Sequence, residues 1–433
     1  MSTATLATII LIGGFFLLML LRVPITFALM LATLGSAVVG GTNLTQMVNS
    51  MVLGANNFAL LAIPFFILMG EIMAEGGMSE KIIDLTNLAV GRMRGGLAYI
   101  NVLSSMLFGG ISGSAVADVS SLGSVVVPMM KKQGYKPEFA VGLTVTTACQ
   151  GVLIPPSHNM VIYALAAGGS VSAGTMLIAG MVPGISLGMA LLGLCVIFAR
   201  RFNFPRGTEE SFKGRAAGIM LRAIAPMMIF VIIIGGIAAG IFTATESSAI
   251  ACVYTFIITY VFFRSAKIRN FGHVLRRALK TLAIVMTLIA TAKAFAYMMT
   301  DLRIPDQITR ALLSVSQSKV VLLLLINLML LVLGCVMDMA PLIMIMTPIL
   351  LPVVTSPAIG MHPVHFGVML IFNLAIGLCT PPVGSALYVG CAVGKTSLEA
   401  TSKAMLPMYL TMVIALMFVI FIPAISLWLP GLH

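Results

Sequence analysis

The sequence predicts an all-α polytopic membrane protein of about 11 transmembrane helices, counted as apolar spans of roughly 20 residues. These form two inverted repeats, each with a re-entrant helical hairpin and a helix broken at a Pro-Pro pair. Three observations carry this. The 433 residues are 60% hydrophobic and 9% charged, with mean hydropathy +1.10, where a soluble domain carries about 25% charged residues. Lys and Arg fall almost entirely on one set of loops. Two apolar segments are interrupted by Pro155-Pro156 and Pro381-Pro382, 226 positions apart.

Composition also excludes classes. The net charge of +12 lies in short loops between apolar spans, which is the positive-inside bias and not a nucleic-acid surface. The six cysteines, at 149, 195, 252, 335, 379 and 391, are scattered singly, so neither a disulfide framework nor a zinc site is indicated. Residues 1–21 are apolar without a basic leader and read as a retained first helix.

In chain order, spans are expected at 4–21, 24–40 and 50–74. Segment 79–90 sets Ile82, Ile83, Leu85 and Leu88 against Glu80, Lys81 and Asp84 and should lie along the interface. Hairpin one occupies 97–130, around Phe108-Gly-Gly-Ile-Ser-Gly-Ser-Ala-Val-Ala-Asp118. Such a Gly- and Ser-rich run cannot face lipid as irregular backbone; it needs partners in protein, water or an ion. Segment 138–168 is broken at Ile154-Pro155-Pro156-Ser157, where two backbone donors are lost. Helix 175–199 closes the first half. The second half has spans at 223–240 and 245–263, a basic amphipathic segment at 264–280, a span at 281–300 and a short polar stretch at 301–319. Hairpin two at 320–353, a span at 363–393 broken at Thr380-Pro381-Pro382-Val383, and a last helix at 404–429 follow. Thr245-Glu246 reads as a helix start, with Glu246 a first-turn capping acid that suits the helix dipole.

The expected organisation is therefore a first repeat over 1–199, a basic cytoplasmic linker at 200–222 and a second repeat over 223–433. One side receives 21 Lys and Arg, the other only Arg303, Arg310 and Lys319, and Lys293 lies inside a span. Cytoplasmic placement of the larger set puts hairpin one on the inner side, hairpin two on the outer side, and gives the repeats opposite orientations. At an offset of 226 the halves echo without a gap: Gly134 meets Gly360, Pro137 meets Pro363, Gly151 meets Gly377, and Ser112 meets Asp338.

Each hairpin tip and the break facing it offer carbonyls and hydroxyls that can replace the hydration shell of a small hard cation such as Na⁺. The first candidate site comprises Ser112, Gly113, Ser114, Asp118, Pro155 and Ser157. The second comprises Gly334, Asp338, Met339, Thr380 and Pro381. Candidates for a substrate are Ser112, Ser114, His158, Asn159, Asp338, Pro382 and Lys293. An intramembrane Asp is costly and marks function by default, although either Asp can instead cap a helix. Lys293 can attract an anion, snorkel, or pair with Glu71 or Asp301. Ser104, Ser105, Ser120 and Ser121 read as close-packing residues.

The motifs Phe108 to Asp118, Ile154-Pro-Pro-Ser, Phe242-Thr-Ala-Thr-Glu246, Gly334 to Asp338 with Pro341, and Gly377-Leu-Cys-Thr-Pro-Pro-Val-Gly384 occur here in one order. In that order they resemble the large membrane subunit (M subunit, DctM-like) of tripartite ATP-independent periplasmic (TRAP) transporters. Ala244 stands where that pattern usually has Pro. The resemblance spans nearly the whole chain and implies Na⁺-coupled import of an organic acid anion across a bacterial inner membrane by an elevator mechanism. It implies a periplasmic binding protein that delivers the anion and a small four-helix membrane subunit, expected as a separate polypeptide, with lipid around both. The family carries C4-dicarboxylates, sialic acid and keto-acids, and Pro156-Ser157-His158-Asn159 looks somewhat like its sialic-acid branch. Two rival readings are a self-sufficient Na⁺/carboxylate symporter and an intramembrane hydrolase using Asp118 and Asp338. No His-Glu-x-x-His or Gly-x-Gly-Asp pattern supports the latter.

Overall fold

The computed structural model describes residues 2–206, 216–316 and 318–432, without the side chains of Ile111, Leu313 and Leu432. Part of the expected linker, 207–215, lies outside the described residues. Among the described residues the chain is helical throughout, with no β-strand. Six helices among the described residues are long and apolar enough to cross a membrane: Thr3–Leu20, Phe58–Glu75, Ala173–Arg201, Ala216–Ala238, Ala244–Phe262 and Ile268–Asp301. They become up to eight if each bent pair counts as one span. The two bent pairs are Pro137–Leu153 with His158–Ala166, turned by 50°, and Leu398–Ala404 with Leu406–Phe421, turned by 56°.

The helices sort into two packed groups. Thr3–Leu20, Ile25–Gly40, Leu44–Ala55, Phe58–Glu75, Ala244–Phe262 and Phe271–Asp301 pack on one another. The two hairpins, the two broken helices, Ala173–Arg201 and Leu406–Phe421 form the other group. Ala62–Glu75 and Phe271–Asp301 touch both groups, so the boundary between them runs along these two helices.

Local chemistry explains the element ends. Asn57 Oδ1 accepts from Ala59 N at 2.9 Å and restarts the chain after Leu44–Ala55, so the single span expected at 50–74 is two helices. Glu246 caps as expected, and its partner is Thr243: Thr243 N donates to Glu246 Oε2 at 2.8 Å, and Glu246 N donates to Thr243 Oγ1 at 3.2 Å, a capping box. The separate segments expected at 264–280 and 281–300 fuse into one 31-residue helix, Phe271–Asp301, because no Gly or Pro interrupts 273–301. The stretch read as polar, 301–319, contains a helix, Ile304–Val315. The expected last helix, 404–429, bends near its start and ends at Phe421, before Pro423.

The echo between halves is structural. Met78–Val90 has its counterpart in Ile304–Val315, Pro137–Leu153 in Pro363–Leu378, and His158–Ala166 in Ser385–Gly394, all close to the 226 offset. Gly134 and Gly360 both take positive φ, +86° and +60°. The echo is not gapless, however. Ser114 and Asp338, 224 apart, are the N-caps of the two return arms, Ala115–Lys132 and Met339–Thr355. The expected pairing of Ser112 with Asp338 is thus two residues out. Hairpin two loses two residues near its tip and regains them in the longer turn before Pro363.

Candidate functional site

In hairpin one the first arm, Gly96–Ser112, stops because Gly113 adopts φ +62°. Its N–H donates to Gly109 O at 2.8 Å, closing the helix end in the usual left-handed way. A Cβ on Gly113 would lie 2.5 Å from Pro156 O and 3.3 Å from Ser157 Cα. Only glycine satisfies both the backbone angle and this approach. Hairpin tip one therefore sits directly on break one. Only Gly113 and Ser114 leave the helical ladder, fewer than the Gly- and Ser-rich run suggests.

The hairpin arm is held against the broken helix in the same manner in both halves. A Cβ on Gly109 would stand 2.6 Å from Gly151 Cα, and one on Gly377 would stand 2.7 Å from Gly334 Cα. Further along the same two helices, Asn101 Nδ2 donates to Thr144 Oγ1 at 2.7 Å and Thr147 Oγ1 donates to Asn101 Oδ1 at 3.3 Å. Their 226-offset counterparts are Asn327 and Asn373, where Asn373 Nδ2 donates to Asn327 Oδ1 at 2.9 Å. These buried bonds tie arm to break in a setting where an unpaired amide would be costly. The two halves meet where Cys149 Sγ and Cys379 Sγ lie 2.9 Å apart and where Tyr163 OH donates to Pro363 O at 2.6 Å.

In half two the non-helical stretch at the tip is longer, Cys335 to Asp338, because the first arm ends sooner. Val383 N donates to Cys335 O at 3.0 Å, joining tip two to break two. Thr380 Oγ1 donates to Ile376 O at 2.7 Å. Both breaks carry a cis bond, at Pro155-Pro156 and Pro381-Pro382.

Both tips open onto one cavity of about 640 Å³. It gathers Ser112, Ser114, His158, Asn159, Asp338 and Met339 from the expected sites. Gly113, Pro155, Ser157, Gly334, Thr380, Pro381 and Pro382 do not line it; they form or flank the seams behind it, where tip meets break. Two expected residues stand elsewhere. Asp118 is 1% exposed, inside hairpin one, where Ser105 Oγ donates to its Oδ2 and its Oδ1 has no partner. Lys293 Nζ donates to Leu165 O at 3.1 Å, at the C-terminal turn of His158–Ala166, where carbonyls lack helical partners. It meets neither Glu71 nor Asp301: Glu71 pairs with Arg277, and Asp301 accepts from Thr42.

The sequence reading missed the cavity's other wall. Arg277 Nε lies 3.0 Å from Glu71 Oε2 and its Nη2 lies 2.9 Å from Glu75 Oε2, and all three side chains line the cavity. Arg277 is 51% exposed and the two acids 28% and 24%, so each pair contributes only about 0.2–1 kcal/mol. Ser120 and Ser121, expected to pack, also line the cavity, whereas Ser104 and Ser105 are buried in hairpin contacts.

Paired hairpin tips and helix breaks around one cavity define a polytopic membrane transporter. The family model described as "Tripartite ATP-independent periplasmic transporter, DctM component" matches residues 12–425, and the chain belongs to that family; it is a transporter subunit, not an enzyme. It is 38% identical over 377 residues to the C4-dicarboxylate TRAP transporter large permease protein DctM of Pseudomonas aeruginosa, covering 87% of each chain. It is 34% identical over 426 residues to the sialic acid TRAP transporter large permease protein SiaM of Vibrio cholerae, covering 97% of this chain and 98% of that one. Its fold is similar to the crystal structure of the Alcanivorax borkumensis YdaH transporter, with TM-score 0.61 at 16% identity over 89% of this chain and 90% of the other.

Proposed function

We propose that this chain is the permease through which a bacterium imports an organic acid anion, of the C4-dicarboxylate or sialic acid kind, across its inner membrane, coupled to Na⁺. The supporting observation is that both hairpin tips and both broken helices converge on one cavity. The relatives named for C4-dicarboxylate and sialic acid transport supply the substrate class. The loop charges favour opposite orientations for the halves, and the division into two packed groups suits an elevator in which hairpins and broken helices move together.

Each residue has a role in this reading. Ser112, Ser114 and Asn159 offer hydroxyl and amide hydrogen bonds to the anion, and His158 offers an imidazole. Asp338 places a carboxyl in the same cavity, where Na⁺ offsets its charge and that of the incoming anion. Ser157 Oγ is fully buried without a hydrogen-bond partner, beside the Pro156 carbonyl that faces Gly113. Such an unsatisfied oxygen next to a carbonyl outside the helices fits a cation that takes oxygen ligands. A periplasmic binding protein and a small membrane subunit complete the transporter.

Reconstitution tests this. The chain and its small membrane subunit are placed in vesicles with the binding protein, and uptake of labelled succinate and sialic acid is followed with and without an inward Na⁺ gradient. Uptake that needs both binding protein and Na⁺ is expected. Uptake without the binding protein would make the chain a self-sufficient symporter, and uptake indifferent to Na⁺ would overturn the coupling.

A further inference from the structure

We propose that Glu71, Glu75 and Arg277 form a release filter in the cavity wall: the two carboxylates hold the guanidinium and leave the wall net negative, so an organic anion set free between the hairpin tips leaves the cavity instead of being caught on its side. This rests on the reading of the chain as an organic-anion permease.

Arg277 is the single Lys or Arg among the described residues lining the cavity. A lone guanidinium in an open polar cavity would be a strong bidentate trap for a carboxylate. Here its Nε and Nη2 are already given to Glu71 and Glu75. Asn270 Nδ2 lies 3.4 Å from Glu75 Oε1, a further hold on that acid. With its Nε–Nη2 side filled by two carboxylates, Arg277 can offer an incoming anion only its outer Nη donors, beside two resident like charges. The two acids outnumber the one cation, and Asp338 adds a third carboxyl from the facing tip. The wall thus repels a free anion and attracts a cation at the same place. The three residues lie on Ala62–Glu75 and Phe271–Asp301, the helices shared by the two packed groups, so the filter is displayed where the hairpins face the rest of the protein. Glu75 also lines a second cavity of about 390 Å³ with Glu80, Lys81, Asp84 and Arg222, so the filter stands between the hairpin tips and a charged chamber on the side of the basic loops.

The filter can be read without knowing the substrate. Thr281, one turn from Arg277, lines the cavity and is exposed. In the full chain in lipid nanodiscs, Thr281→Cys is reacted with methanethiosulfonates bearing either a sulfonate or a trimethylammonium group, and the protein without the added cysteine is subtracted. Glu71→Gln with Glu75→Gln should lower the cation-to-anion rate ratio about tenfold, a size set by charges a few ångströms away in a partly solvated site. Arg277→Gln should raise the ratio. Opposite shifts from the two variants cannot come from misfolding. A ratio unchanged in both, or moved the same way by both, overturns the filter. In the reconstituted system the double Gln variant should keep its Na⁺ dependence while its maximal rate falls by about threefold or more, as expected where release limits turnover. An unchanged maximal rate would show that the negative wall does not serve release, whereas loss of Na⁺ dependence in the unsubstituted protein would refute the transport reading instead.

Discussion

The two tip-and-break seams share a backbone plan and differ in what they leave unsatisfied. In seam one Pro155, Pro156 and Ser157 are buried, Gly113 lies against the Pro156 carbonyl, and Ser157 Oγ lacks a partner. In seam two Pro382 and Val383 are exposed, Val383 N bonds Cys335 O, and the Thr380 hydroxyl donates to its own helix. Duplicated proline pairs set where each helix breaks; the side chains around them decide whether the break is closed and polar-deficient or open and internally satisfied. Seam one is therefore the place where a bound cation adds most, and seam two the place that water reaches first. The carboxyls follow the same division: Asp338 faces the cavity, while Asp118 is enclosed by its own hairpin.

The largest effect should come from that last contrast. Asp338→Ala should lower Na⁺-driven uptake by about 100-fold, equivalent to about 2.7 kcal/mol, and Ser112→Ala should weaken it by a smaller factor. Asp118→Asn, which keeps an acceptor for Ser105, should retain the Na⁺ response. Equal loss of Na⁺ dependence in the two Asp variants, measured in vesicles at matched protein levels, would erase the distinction between a cavity carboxyl and a hairpin carboxyl.

A smaller effect separates the two glycine contacts. Gly109→Ala forces a methyl to 2.6 Å from Gly151 Cα, against backbone that cannot rotate away, whereas Gly334→Ala meets Gly377 Cα at 3.4 Å. Overpacking of the first kind costs about 1–3 kcal/mol, and the second should cost less than about 1 kcal/mol. The thermal midpoint of the purified protein in detergent checks the order; a Gly334→Ala loss matching that of Gly109→Ala would show that the two arms are packed equally tightly.

Proline and glycine, whose effects are local, made much of this legible in advance. Pro155-Pro156 and Pro381-Pro382 announced both breaks, and Gly151 with Gly377 stood out as a repeated pair, though not as the points of arm contact they prove to be. What escaped was set by distance in the chain. Arg277 finds Glu71 and Glu75 more than 200 residues away, and no local pattern links them. Lys293 bonds a backbone carbonyl, a partner that residue types do not display. The register slip at the tips was hidden because Val336-Met337 shares no chemistry with Ser112-Gly113, its counterpart once Ser114 is set on Asp338. A signal did exist for Asn101 and Asn327: polar residues 226 apart in otherwise apolar arms are the kind of pair that the offset could have selected.

The smallest effect tests the seams themselves. Ser157→Ala removes a hydroxyl that has no partner, so without Na⁺ it should leave stability unchanged or raise it by up to about 1 kcal/mol, because an unmet buried polar group is itself a penalty. Thr380→Val removes a bonded hydroxyl and should cost about 0.5–1 kcal/mol with or without Na⁺. The informative quantity is the rise in thermal midpoint on adding Na⁺, since a ligand that binds only the folded state stabilises it by mass action. That rise should shrink in Ser157→Ala and persist in Thr380→Val. The reverse pattern would move the cation's principal hydroxyl ligand from the closed seam to the open one, and with it the order in which the two halves load.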